Sequence, residues 1–401
     1  MFFEIRGTVN TAICYASEAE EAAIAQIRKM CDCPMSEGSR IRIMPDMHAG
    51  AGCTIGTTMT ITDKVVPNVV GVDIGCGMYT VKLKERDIPF GLFDDAAHSI
   101  PSGFHVWQEA QESFDLTALN CASELHDLPR LERSLGTLGG GNHFIEIDAA
   151  QDGTKYLVIH SGSRNLGKQV AEYYQQRAVA MIRDNSEYQR LKEDLIRRYT
   201  EEGRARELES TLKQFSQSRG SEEIPPELSW LSGTVLEAYL QDVEICQAFA
   251  RRNRELMAQR LLQASGLTGE SGFHTIHNYI DTSEMILRKG AIAAHTGELV
   301  LIPLNMRDGS ILAEGKGNAE WNYSAPHGAG RIMSRSQARK RLSLNAYKDA
   351  MQGIYSTSVN SSTLDESPMA YKPVQDILGV IHKTVDILEL LKPVYNFKAS
   401  D

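Results

Sequence analysis

Residue types able to hold a metal or carry a phosphoryl group gather in five glycine-rich or apolar stretches of this 401-residue chain. An ionisable group in such surroundings needs a partner, either a metal or a ligand. In Val70-Gly71-Val72-Asp73-Ile74-Gly75-Cys76-Gly77-Met78 a carboxylate and a thiol stand three residues apart. Both can reach one metal, and a thiolate can bridge two; the bland alternative is a glycine-rich turn around an inert cysteine. Gly136-Thr137-Leu138-Gly139-Gly140-Gly141-Asn142-His143 reads as a loop running into a strand. Its backbone N–H groups could cradle a phosphate, although it has neither a Walker nor a Rossmann spacing.

Tyr156-Leu157-Val158-Ile159-His160-Ser161-Gly162-Ser163-Arg164 places a histidine at the end of an apolar strand, followed by an arginine suited to bidentate phosphate binding. His274-Thr275-Ile276-His277-Asn278-Tyr279 brackets an apolar pair with two histidines. A single such histidine is more often a satisfied core residue, but four segments of this kind in one chain make that explanation hard to sustain. In Ala325-Pro326-His327-Gly328-Ala329-Gly330-Arg331 small residues leave room for a bulky ligand on His327. Arg331 and Arg335, spaced one helical turn apart, are expected to face one anion. A neutral imidazole there is a reasonable nucleophile toward a nucleotide α-phosphate.

The elements that must position these groups follow from local pattern. Short β-branched runs cut by glycine turns predict strands and loops over 41–83, 135–166 and 290–331. From 169 to 264 glycines thin out and charged helical patterns predict an inserted helical arm, interrupted at Gly220 and at Ile224-Pro225-Pro226. Within it, Glu187 to Gln214 reads as a solvated hairpin, and Tyr239 to Asn253 as a core-packed helix. Apolar spacing over Val374 to Leu391 predicts an amphipathic helix with Ile377, Val380, Ile381, Val385 and Leu388 on one side.

Composition bounds the rest. A hydrophobic fraction of 42% with 23% charged residues excludes disorder. Seven scattered cysteines argue against a disulfide framework, and no apolar run is long enough to span a bilayer. A cytoplasmic protein without a signal peptide or membrane partner is therefore expected. The net charge of -10 means that a polyanionic substrate must meet a local positive site.

Taken together, Met44-Pro45-Asp46-Met47-His48-Ala49-Gly50-Ala51-Gly52, Gly71-Val72-Asp73-Ile74-Gly75-Cys76-Gly77, Gly139-Gly140-Gly141-Asn142-His143, His160-Ser161-Gly162-Ser163-Arg164, His277-Asn278-Tyr279, Arg288-Lys289-Gly290-Ala291 and the His327 segment resemble, in order, the RtcB family of GTP-dependent RNA ligases. The chain looks like a divergent, short, bacterial-type member. The resemblance implies an α+β fold of central sheets with surrounding helices, a single catalytic domain over 1–401 and a helical insertion at 169–264. It implies that RNA ending in a 3′-phosphate or 2′,3′-cyclic phosphate is joined to a 5′-hydroxyl end, as in RNA repair or transfer-RNA splicing. GTP would supply the energy through a guanylylated His327.

Two manganese ions would be held by Asp73, Cys76, His143, His160 and His277, with Cys76 bridging; ligand chemistry alone leans to zinc or iron. Asn142, Arg164, Asn278, Lys289, Asn305, Ser310, Gly328, Gly330, Arg331, Arg335, Tyr371 and Lys398 would hold GTP and phosphates, with Tyr371 stacking on guanine and Lys398 reading it. The partner implied is RNA, and a helper protein for turnover is left open. Leu304-Asn305-Met306-Arg307 replaces smaller family residues, which predicts a narrower nucleotide pocket with Arg307 near a phosphate. Asn165 and the tail 392–401 are further departures, consistent with RNA targets of its own. The alternative reading is a two-metal RNA-end phosphodiesterase or cyclic phosphatase, which needs neither His327 nor a guanine pocket.

Overall fold

The computed structural model describes residues 2–16, 19–183, 186–202, 204, 208, 211–212 and 224–398. Fifteen strands are described: β1 Phe3–Arg6, β2 Thr11–Cys14, β3 Ile41–His48, β4 Ile55–Thr60, β5 Gly77–Leu83, β6 Phe144–Ala149, β7 Lys155–Ser161, β8 Gly269–Ile276, β9 Asn278–Asp281, β10 Ile286–Lys289, β11 Ala291–Ala293, β12 Leu299–Asn305, β13 Gly309–Gly315, β14 Ser324–Pro326 and β15 Val385–Lys398. They form a six-stranded sheet (β1-β2-β3-β4-β10-β9), a seven-stranded sheet (β12-β13-β15-β6-β7-β5-β8) and the small pair β11-β14. The fold is α+β, with predominantly antiparallel pairing.

β7 is apolar without alternation because both its faces are covered. Leu157 and Ile159 enter one core cluster with Val81 and Phe93, while Val158 enters another with Met78 and Phe144. The largest core cluster is built from the six-stranded sheet, the helix Glu21–Asp32, the helix Arg164–Arg183 and the start of the helix Gly233–Ser265.

The helix read as core-packed over Tyr239 to Asn253 is observed and extends over 33 residues, Gly233–Ser265, with Tyr239, Phe249, Asn253, Arg254 and Met257 fully buried. It packs along β5 and β7, so it is central to the molecule. Ser186–Glu201 is helical as expected, whereas Gly220 and much of 203–223 lie outside the described residues.

The helix predicted over Val374–Leu391 ends at Ile381, and Val385–Lys398 is β15, the strand joining β13 to β6. Leu388, assigned to the inner side by helical spacing, is 54% exposed. Backbone pairing with two distant strands decides this segment, and Pro393 is accommodated where the register shifts.

Candidate metal centre and nucleotide cavity

Adjacent strands bring the five predicted ligands together. Met78 pairs with His160 across β5 and β7, and His160 pairs with Phe144 across β7 and β6, so Cys76, His143 and His160 emerge at one end of the sheet. Cys76 Sγ lies 3.5 Å from His143 Nε2 and 3.3 Å from His160 Nε2, and the two Nε2 atoms of His160 and His277 are 3.3 Å apart. Asp73 Oδ2 is 3.1 Å from His143 Nε2. The site is crowded enough that a Cβ on Gly162 would collide with the Asp73 carboxylate.

Hydrogen bonds set the tautomers. His143 Nδ1 donates to the Leu138 carbonyl at 2.8 Å, and His160 Nδ1 donates to the Asn142 carbonyl at 3.1 Å. Both Nε2 atoms therefore carry lone pairs directed at the thiol, the arrangement of imidazole ligands oriented from behind. Burial holds His160 and His277 well below the usual histidine range, with neighbouring charges adding to it.

Burial, reinforced by Asp73, pushes the Cys76 thiol well above its ordinary value. A divalent cation reverses that sign, because it stabilises the thiolate directly. The donor set of thiol, imidazoles and carboxylate fits a divalent cation. Cys76, His143 and His160 have ligand atoms all within 4.8 Å of one another.

The loops bearing these ligands are tied together by the long helix. Asn253 Oδ1 accepts from Gly136 N at 2.7 Å and Thr137 N at 3.0 Å, while Nδ2 donates to Thr137 O, Ser161 Oγ and Gly162 O at 3.1, 3.1 and 3.2 Å. Arg254 Nη1 donates to Gly75 O at 2.7 Å and Ser161 O at 2.8 Å. Gly75 has φ +76, and a Cβ there would meet that of Ala250 at 2.9 Å, so this close approach requires glycine. Helical periodicity identified the packing of this helix but not Asn253 and Arg254; buried polar side chains on an otherwise apolar face were the available signal.

A cavity of about 310 Å³ opens from His160 and His277, at the lower end of the size range of small-molecule sites. Its walls include Asn142, Asn305, His327, Gly328, Gly330, Arg331, Arg335, Tyr371 and Lys398. His327 Nδ1 donates to Asp46 Oδ2 at 2.7 Å, leaving Nε2 as the lone-pair nitrogen. The same carboxylate oxygen accepts from His327 N at 3.1 Å and Gly328 N at 3.2 Å. Asp46 stood in the motif without an assigned role, and its part in the site becomes visible only in three dimensions.

Arg331 and Arg335 do not share a helix, since the helix Arg335–Arg341 begins at the second of them. They meet at buried Glu366, 3.2 and 2.8 Å away, where Lys398 Nζ also lies at 2.6 Å. Arg335 and Arg339 pair with Asp365 as well. Cations outnumber carboxylates in this cluster, which supplies the local positive site that the acidic chain required. Burial acts to raise Glu366, but the charges of Lys398, Arg335 and Arg331 win and hold it at about 2. Tyr371 donates to Glu366 at 2.7 Å, and Arg331 covers one face of its ring.

Other predicted residues lie outside the cavity walls. Arg164 Nη2 donates to Gly103 O and its Nε to Thr137 Oγ1, beside Asp73. Lys289 Nζ donates to the carbonyls of Ala51 and Asn68 at 2.8 and 2.9 Å. Asn278 Oδ1 accepts from Gly290 N, and Ser310 Oγ is buried near Asp148.

In the substituted loop, Leu304, Asn305 and Met306 all line the cavity. Asn305 Oδ1 caps the turn by accepting from Arg307 N and Asp308 N, and Arg307 departs from expectation, pairing with Asp308 at 2.9 Å instead of facing the cavity. An aspartate directly following Arg307 offers the nearest charge, so the guanidinium folds back.

The model of the family described as "tRNA-splicing ligase RtcB" matches residues 26–124 and 117–399. The chain belongs to the RtcB family. It is 28% identical over 397 residues to the Escherichia coli RNA-splicing ligase RtcB, covering 88% of each chain. It is 27% identical to the tRNA-splicing ligase RtcB of Aeropyrum pernix, covering 85% of this chain and 83% of that one. A similar RNA-splicing ligase RtcB in Mycobacterium tuberculosis is also 27% identical, over 85% of this chain and 92% of its own. All seven cysteines of this RtcB-family chain are free and buried. Among the described residues, no helix is long and apolar enough to cross a membrane.

Proposed function

We propose that this RtcB-family protein is an RNA ligase, working in the cytoplasm as one catalytic domain over 1–401. It joins a 3′-phosphate or 2′,3′-cyclic phosphate end to a 5′-hydroxyl end using GTP. The observation that carries the reading is His327, an imidazole with its tautomer set by Asp46, in the wall of a cavity shared by His160, His277 and a cluster of arginines. A two-metal phosphodiesterase, which activates water on its metals, does not need this imidazole.

Two manganese ions would be held by Asp73, Cys76, His143, His160 and His277, and when bound they supply positive charge that neutralises phosphate oxygens. His327 Nε2 attacks the GTP α-phosphorus, forming a P–N bond while the α–β P–O bond breaks and pyrophosphate leaves. As that bond forms, Asp46 stabilises the positive charge growing on the ring. Water first opens a 2′,3′-cyclic end to the 3′-phosphate; an oxygen of that 3′-phosphate then attacks the histidine-bound phosphorus, and the P–N bond breaks to free His327. The 5′-hydroxyl oxygen attacks the activated 3′ phosphorus, and GMP leaves.

Arg331 and Arg335 bind phosphate, with Asn142 and the small Gly328 and Gly330 admitting it. Tyr371 stacks on guanine by the face that Arg331 does not cover. Lys398 gives two of its three N–H donors to Glu366 and Asn142, leaving one for guanine O6. In adenine that contact would be donor against donor, so GTP is preferred.

The test is incubation with manganese and radiolabelled GTP followed by denaturing electrophoresis. A labelled protein band that disappears in His327→Ala, with metal content retained, is expected. A band that persists in that variant moves the nucleophile elsewhere.

A further inference from the structure

An aromatic ring stands in water beside the metal centre. Phe104 is 86% exposed, more than any other large apolar residue described. A single exposed apolar side chain is ordinary on a mobile surface, but the backbone here is pinned on both sides. Pro101 O accepts from Leu138 N at 2.9 Å, Gly103 N donates to Gly139 O at 3.0 Å, and His105 N closes a turn onto Ser102 O at 3.0 Å. Gly103 O accepts from Arg164 Nη2 at 3.0 Å, and Phe104 O accepts from Arg130 Nη2 at 2.6 Å. Farther along, Trp107 donates from Nε1 to Gly136 O at 3.0 Å.

These bonds join the Phe104 turn to the loop that carries the metal ligands. Leu138, whose N–H bonds Pro101, is the residue whose carbonyl orients His143. Arg164, which bonds the residue before Phe104, stands beside Asp73. The turn is therefore a rigid rim of the site, with Gly103 at φ +59 supplying the reversal. A guanidinium at the backbone of an exposed ring is the pairing that single-stranded nucleic acid uses, one group meeting phosphate and the other a base face.

We propose that Phe104 is a stacking platform for an unpaired base of the RNA strand led to the metal centre, with Arg130 beside it for a backbone phosphate. This rests on the RNA-ligase reading, and the experiment separates the two. Binding of a fluorescent single-stranded RNA with a 3′-phosphate is measured by anisotropy on manganese-loaded protein, alongside GTP labelling of the same samples. Phe104→Ala should weaken RNA binding roughly tenfold while GTP labelling stays within about twofold, because the residue is outside the nucleotide cavity. Phe104→Trp should restore binding, which a merely structural role would not predict. Blunt duplex RNA should be bound equally by wild type and Phe104→Ala, since it offers no free base face. Wild-type protein that binds RNA with no dependence on residue 104 overturns the platform alone. Wild-type protein that binds no RNA overturns the platform together with the reading beneath it.

Discussion

Replacing Asp46 tests how His327 is prepared for attack. One carboxylate oxygen accepts from His327 Nδ1 at 2.7 Å and from the backbone N–H groups of His327 and Gly328 at 3.1 and 3.2 Å, and the residue is fully buried. In Asp46→Asn the two backbone donors force the amide oxygen into that position, so the imidazole keeps its Nδ1–H tautomer. What is lost is the charge. A hydrogen bond to a charged group contributes about 1.5–3 kcal/mol and a neutral one about 1, so the variant forfeits about 0.5–2 kcal/mol of stabilisation of the charging ring. The expected slowing of GTP labelling is about tenfold.

The amide nitrogen takes the place of Asp46 Oδ1, which has no hydrogen-bond partner among the described residues, so the variant should also melt earlier. Asp46→Ala strands three donors and frees the ring to rotate, which should cost at least ~3 kcal/mol and slow labelling by roughly a hundredfold or more. Single-turnover labelling with radiolabelled GTP, with metal content measured on each sample, is the assay. Refutation would be Asp46→Asn labelling at the wild-type rate, or an asparagine variant as slow as the alanine one.

Three further outcomes follow from the geometry. Asn253→Ala removes five hydrogen bonds that tie the ligand-bearing loops together, and should destabilise the protein by about 2–5 kcal/mol in urea melts and lower its metal content; a melt unchanged from wild type would deny the helix its bracing role. Glu366 has a folded pKa of about 2, below its ordinary 4.5, so its contribution is complete above pH 4.5 and fades as pH falls toward 2. Urea midpoints measured from pH 6 down to pH 2.5 should fall more steeply for wild type than for Glu366→Gln, by up to ~3 kcal/mol, and parallel curves would contradict it. Arg307→Ala should leave GTP labelling unchanged, because its guanidinium is paired with Asp308 away from the cavity; a loss beyond threefold would put that side chain back at a phosphate.

What the residues alone determined is the local chemistry. Glycine-dense turns around Asp73 and Cys76, a histidine closing an apolar strand at His160, and small residues around His327 are signals carried within about ten positions, and motif order joined them into one family. The tertiary structure decided whatever depends on residues far apart in the chain. Asp46 and His327 are 281 positions apart, and no periodicity marks a carboxylate as the partner of a particular imidazole. Glu366 becomes the meeting point of Arg331, Arg335 and Lys398 only when three separate segments close on it. Val385 to Leu391 carries apolar residues at spacings that suit a helix, yet the free edges of β13 and β6 claim the backbone of Val385–Lys398, because a buried strand edge left unpaired costs more than local preference can return. Asn253 lies on a helix that periodicity identified correctly, but which loops its amide would bind depended on what packed against that face.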